Sequence, residues 1–199
     1  MVFFDLLQVI FWSITYVLII VFGFIKRNYF MPIIAAFLNI AWESNALYKD
    51  LSNNIYNSIT LAHFVWILLD FFIVLTILFY YIEKDKKVVI SFVSLPFLIV
   101  GLKIMFDLKL GQLYSCFSID LIMAICYLVL AIRAKEHINE LSIIGITKLL
   151  GDFFAFIMYR QYDFINVVGI IVFIINSMYL AILNNKLINV KLSFCKHEI

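Results

Sequence analysis

Carboxyl groups recur in this sequence where nearly all of the surrounding residues are apolar. Asn39, Trp42 and Glu43 share one apolar run, and spacings of three and four put them near one helix face. His63, Trp66 and Asp70 follow at i, i+3 and i+7, again a single face. Lys148 and Asp152 are four apart and able to pair, and Asn176 and Tyr179 are three apart. A charged side chain at the centre of a bilayer costs about 2.5–3.5 kcal/mol on insertion scales, so such residues turn toward other helices. A carboxyl group removed from water tends to keep its proton, because desolvation penalises the charged form. It can then act as a general acid near neutral pH. A second carboxyl or an amide can orient that proton, and nearby aromatic faces stabilise a developing cation by about 0.5–2 kcal/mol each. An acid, aromatic walls and excluded water suit the cyclisation of a lipophilic polyene, which needs one proton delivered and a carbocation kept dry.

The elements that hold these residues follow from composition. The 199 residues are 65% hydrophobic and only 14% charged, with a mean hydropathy of +1.07. A soluble domain is about half apolar and about a quarter charged. Lipid must therefore cover most of the surface. A spanning helix needs about 20 apolar residues, and seven such segments are predicted at about 5–25, 30–48, 61–82, 88–106, 115–133, 142–159 and 164–184. The expected fold is all-α: an integral, multi-pass membrane bundle of seven transmembrane helices in a single domain, 1–199. In a bacterial cell the membrane would be the plasma membrane. The start, Met-Val-Phe-Phe-Asp, lacks a basic region ahead of its apolar run, so the first segment reads as a retained helix and not as a cleaved signal. The longest connection runs around Lys49 to Thr60. No linker, low-complexity stretch or strong internal repeat is visible, and Pro32 and Pro96 do not mark equivalent breaks.

Orientation follows from the basic residues. With seven spans, Lys26, Arg27, Lys84, Lys86, Lys87, Arg133, Lys135, Lys186, Lys191 and Lys196 fall on one side, and Lys49, Lys109 and Arg160 on the other. Lys103 and Lys148 lie within spans. The arrangement predicts an N-terminus outside and a C-terminus inside. Most acids then sit in the outer half. Asp70 lies about ten residues, roughly 15 Å, inward from the outer end of its helix. A polar-floored pocket, open outward and walled by Phe, Tyr and Trp, is the simplest construction.

The remaining polar residues have plainer expectations. Asp5, Asp120 and Asp163 lie near predicted helix ends and are expected to be solvated. Gln8 is also at an outer end. The Lys148–Asp152 pair reads as a neutralised structural pair, and His63 as an interfacial or capping residue as readily as a chemical one. Cys116, Cys126 and Cys195 form no CxxC pair and have no histidine at zinc spacing, so they read as free thiols. Lys196-His197-Glu198 is too short for a metal site. No metal and no cofactor are expected, and a net charge of +2 is too small and scattered for nucleic acid.

The run Met31-Pro-Ile-Ile-Ala-Ala-Phe-Leu-Asn39-Ile-Ala-Trp42-Glu43 resembles the second helix of the transmembrane-type terpene cyclases, small seven-helix enzymes of meroterpenoid and indole-diterpene biosynthesis. Their second helix reads Pro, an apolar run, then Asn-x-x-Trp-Glu. Trp66-Ile-Leu-Leu-Asp70 resembles the Trp-x-x-x-Asp of their third helix. The resemblance implies a membrane enzyme acting on a lipophilic prenylated small molecule, with Glu43 protonating an epoxide or alkene. It also implies an aspartate on the last helix, in the pattern Asp-x-x-Tyr. This chain has Asn176-Ser-Met-Tyr179 there. An asparagine can orient Glu43 but cannot donate a carboxyl proton, so either Asp70 or Asp152 supplies the second carboxyl or the substrate differs. The catalytic candidates are thus Glu43, Asp70 and Asp152, with Asn39, Trp42, His63, Trp66, Asn176 and Tyr179 as pocket residues. The competing reading is a small polytopic transporter or proton-coupled carrier using the same carboxylates.

Overall fold

The computed structural model describes residues 2–81, 86–108 and 111–197. Of the residues weighed above, Lys84, Lys109 and Glu198 lie outside the described ones, as do the side chains of Lys86, Lys87, Lys191, Cys195, Lys196 and His197. Seven helices follow in order: α1 (Val2–Lys26), α2 (Ile33–Ser52), α3 (Ser58–Tyr81), α4 (Lys86–Phe106), α5 (Gly111–Arg133), α6 (Ile138–Tyr159) and α7 (Asp163–His197).

Their ends have local causes. Arg27 takes a left-handed φ of 51°, and Asn28 N–H returns to the Gly23 carbonyl at 3.1 Å, which closes α1 in a Schellman turn. Asn54 does the same for α2, with φ 56° and Ile55 N–H bonded to the Asp50 carbonyl at 2.9 Å. Proline constrains the backbone before it and cannot lie inside a helix without losing a hydrogen bond. Hence α2 starts at Ile33, after Pro32, and not at 30. Asn57 caps α3 by accepting from the Ile59 and Thr60 amides at 3.0 and 2.9 Å. At the other end of the bundle, the Lys186 ammonium on α7 donates to the carbonyls of Ala131, Ile132 and Ala134, which would otherwise be orphaned at the end of α5. No proline or glycine follows Asn184-Asn185-Lys186, so α7 runs well beyond 184.

Among the described residues, five stretches are long and apolar enough to cross a membrane: Phe3–Lys26, Ile59–Tyr80, Gly111–Arg133, Ile138–Tyr159 and Asp163–Asn189. Seven were expected. Helix α2 is not among them because it carries Glu43, Lys49 and Asp50 within 20 residues; of α4, the apolar stretch among the described residues is Ser94–Ile104. Large apolar side chains such as Phe3, Leu61, Phe79, Val167 and Ile174 stay exposed on the outer faces, as a lipid-facing surface requires. The protein is a multi-pass membrane protein.

Six helices close a ring in the order α1, α3, α2, α5, α7, α6, and α4 lies outside it against α2 and α5. One half of the ring is filled by Ile19, Ile77, Ile144, Tyr179 and Leu183, all buried. In the other half, where α1 begins, the helices enclose a cavity.

Candidate active site

The α2–α3 hairpin builds the first part of the site. Its helices run antiparallel, and three polar contacts mark the register along it. Thr60 Oγ1 donates to Asp50 Oδ2 at 3.0 Å, His63 meets Glu43, and Asn39 donates to Asp70 Oδ2 at 2.8 Å. His63 Nδ1 lies 2.6 Å from Glu43 Oε2, and each side chain is only 5% exposed. The imidazole sits edge-on to two indoles, with centroids 5.5 Å from Trp42 and 5.9 Å from Trp66. Trp42 Nε1–H donates to Ser115 Oγ at 3.0 Å, and Trp66 Nε1–H to Ser13 Oγ at 3.1 Å. These bonds satisfy the indole donors away from the histidine and hold both rings in place.

Beside this pair, the Asn39 amide uses both protons. One goes to Asp70 and the other to the Tyr16 hydroxyl at 2.5 Å. Tyr16 in turn stacks on Trp66, centroids 6.3 Å apart. A second charged group spans α5, α6 and α7. The Lys148 ammonium donates to Asp120 Oδ1 at 2.9 Å and to Asp152 Oδ2 at 2.5 Å. Asn176 Nδ2–H donates to the same Asp152 oxygen at 2.7 Å. The ammonium also lies 5.2 Å from the Trp12 ring centroid.

Both groups border one cavity of about 560 Å³, within the roughly 300–1,000 Å³ common for small-molecule sites. Its wall includes Asn39, Trp42, Glu43, His63, Trp66 and Asp152, as well as Trp12, Tyr16, Asp120 and Met123. All three tryptophans of the chain therefore border it. Asp5, Gln8, Lys49, Asp50 and Asn57 form its polar mouth, at the end of the bundle where α1 begins.

Several expectations need correction. Asp70 is fully buried but does not border the cavity; Asn39 stands between them. Asn176 and Tyr179 do not border it either, since α7 packs behind α5 and α6. Asn176 is bonded to Asp152 and not to Glu43. The Tyr179 hydroxyl donates to the Leu141 carbonyl at 2.6 Å. Asp120 is not solvated: its side chain is 14% exposed and paired with Lys148. His63 is not a cap: it is 4% exposed and bonded to Glu43. Trp12 and Tyr16, outside the expected set, also border the cavity; their signal in the sequence is that Asp5, Gln8, Trp12 and Tyr16 follow at spacings of three, four and four, which mark a helix face. Among the described residues no group of three or more His, Cys, Asp or Glu could hold a metal ion.

Fold and site together define a helical membrane protein with a tryptophan-lined chamber that carries buried acids. Residues 2–114 match the family model of Pyr4-like transmembrane terpene cyclases. That span is more than half of the chain, and the protein belongs to this family. The matched residues include Glu43, His63 and Asp70; Asp120, Lys148, Asp152 and Asn176 lie beyond them. A search of curated proteins and a search of solved structures each find no match.

Proposed function

We propose that residues 1–199 form one membrane-embedded domain that protonates a lipophilic prenylated molecule at an alkene or epoxide and so starts its cyclisation, with Glu43 as general acid. The observation that supports this most directly is the Glu43–His63 pair, 2.6 Å apart, on the wall of a chamber bordered by every tryptophan in the chain. The Glu43 proton passes to the substrate, and the carboxylate left behind keeps its hydrogen bond to His63. Neighbouring π bonds then attack the cationic carbon in turn and close rings. The cascade ends when the last cation loses a proton, or is captured by a hydroxyl of the substrate that then loses its own; that proton returns to the Glu43 carboxylate, so the acid is restored and the product is an isomer of the starting compound. Trp42 and Trp66 offer their faces to positive charge along the way.

The other two carboxyls take different parts. Asp70 is a positioning residue, acting through Asn39 on Tyr16 and the chamber wall. Asp152, held by Lys148 and Asn176, is the second candidate carboxyl on the chamber wall. With the N-terminus outside and the C-terminus inside, the mouth lies toward the outer leaflet.

Co-expression with prenylated aromatic or polyketide-like precursors, followed by product analysis, tests the reading. Glu43→Gln is expected to abolish cyclised product while the protein still accumulates in the membrane. Full cyclisation by that variant removes Glu43 from its role. If the protein in proteoliposomes instead takes up a solute driven by a pH gradient, and cyclises nothing, it is a carrier.

A further inference from the structure

The chamber wall holds two buried acceptors that accept no hydrogen bond from any described residue. Asp152 Oδ2 receives both Lys148 and Asn176, but Asp152 Oδ1 is buried and has no hydrogen-bond partner among the described residues. Gln8 Oε1 is in the same condition. Leaving a buried acceptor unpaired costs about 1–3 kcal/mol, more for a charged one, so two on one wall call for a donor from outside the chain. Both residues border the cavity, on two helices that pack along one seam. Helices α1 and α6 run antiparallel there, with Thr15 Oγ1 donating to Thr147 Oγ1 at 2.9 Å and Trp12 facing Gly151. Continuing that register by one turn brings Gln8 opposite Ala155, a turn away from Asp152.

We infer that the Gln8–Asp152 wall is a subsite for the polar head of the ligand, and that this head is a hydrogen-bond donor, an O–H or N–H, held by these two oxygens. The inference rests on the chamber being a prenyl-lipid site, and it adds an orientation to it. The head sits against α1 and α6, and the chain runs across the tryptophans toward Glu43 and His63 on α2 and α3. Lys148 and Asn176 give the subsite its polarity. Both are donors committed to Asp152 Oδ2, so the other oxygen can only accept or carry a proton of its own.

Because Trp12, Trp42 and Trp66 all border the chamber, intrinsic fluorescence of the purified protein in detergent reports occupancy without any turnover. The probes are a saturated-chain prenylated phenol, which cannot cyclise, and its methyl ether. The wild type is expected to bind the phenol about tenfold more tightly. In Gln8→Leu, which removes no hydrogen bond described above, phenol affinity falls toward that of the ether, and ether affinity is unchanged. In Asp152→Asn the amide must turn its oxygen to Lys148 and Asn176 and its NH₂ to the chamber. That variant is expected to lose the phenol preference and to accept the ether, an acceptor, at least as well as the wild type does. Equal binding of both probes by the wild type, or equal weakening of both in Gln8→Leu, overturns the subsite but leaves the chamber reading standing. Binding of neither probe by folded wild type defeats both.

Discussion

Glu43 has one strong partner, and the partner is what makes it usable. An acid this buried would be costly alone, and the hydrogen bond to His63 holds it in one orientation. Removing the imidazole should therefore harm both fold and rate. His63→Leu is expected to cost about 3–5 kcal/mol of stability, as for other broken buried pairs. His63→Asn, which retains a hydrogen-bonding amide, should fold and lose about 10²–10⁴-fold in turnover. Melting temperature and product yield of the two variants check this. Lys148 is the other decisive residue. It stands between Asp120 and Asp152, so Lys148→Met leaves two acids facing each other. That substitution is expected to destabilise the protein by about 3–5 kcal/mol, and Asp120→Asn in the same chain to recover part of the loss. If Lys148→Met melts with the wild type, the pairing contributes nothing.

At the scale of helices, the α1–α6 seam sets the width of the chamber. Trp12 lies flat enough against α6 that a Cβ on Gly151 would come within 2.8 Å of its indole. Gly145 likewise leaves room for the Tyr179 ring, which a Cβ there would strike. Gly151→Val should therefore force Trp12 aside at a cost of about 1–3 kcal/mol. The same variant should change the tryptophan emission and weaken binding of any chamber ligand, and an unchanged spectrum would mean that Trp12 is not held by this contact. The α2–α3 hairpin plays the corresponding part for Glu43. A slip of one turn would break the contacts at Asp50–Thr60, Glu43–His63 and Asn39–Asp70 together. Asn57, by capping α3, pins that register at its start.

For the whole molecule, the chamber lies at one end of the bundle, so orientation decides which leaflet supplies the substrate. Tyr56, in the α2–α3 loop beside the mouth, is 74% exposed. Glu136 is exposed in the α5–α6 connection at the opposite end. In a chain without its native cysteines, Tyr56→Cys is expected to react with a membrane-impermeant thiol reagent on intact cells. Glu136→Cys should react only after permeabilisation. The reverse pattern would turn the mouth to the cytoplasmic side. Helix α4 touches the ring from outside, and among the described residues it contributes none to the chamber wall.

The membrane setting and the helical class were legible without coordinates, because burial in lipid is a property of composition and segment length. So were the residues that share one helix face, since the 3.6-residue period fixes them: Asn39 with Glu43, His63 with Asp70, Lys148 with Asp152. What sequence spacing cannot express is which face meets which. Glu43 with His63, Asp152 with Asn176 and Asp120 with Lys148 are contacts between helices, and they depend on how the ring closes and in what register. The same closure carried Asp70, Asn176 and Tyr179 behind the wall and brought Trp12 onto it. A buried polar group is driven to find a partner, but only the packing of the helices determines which partner lies within reach.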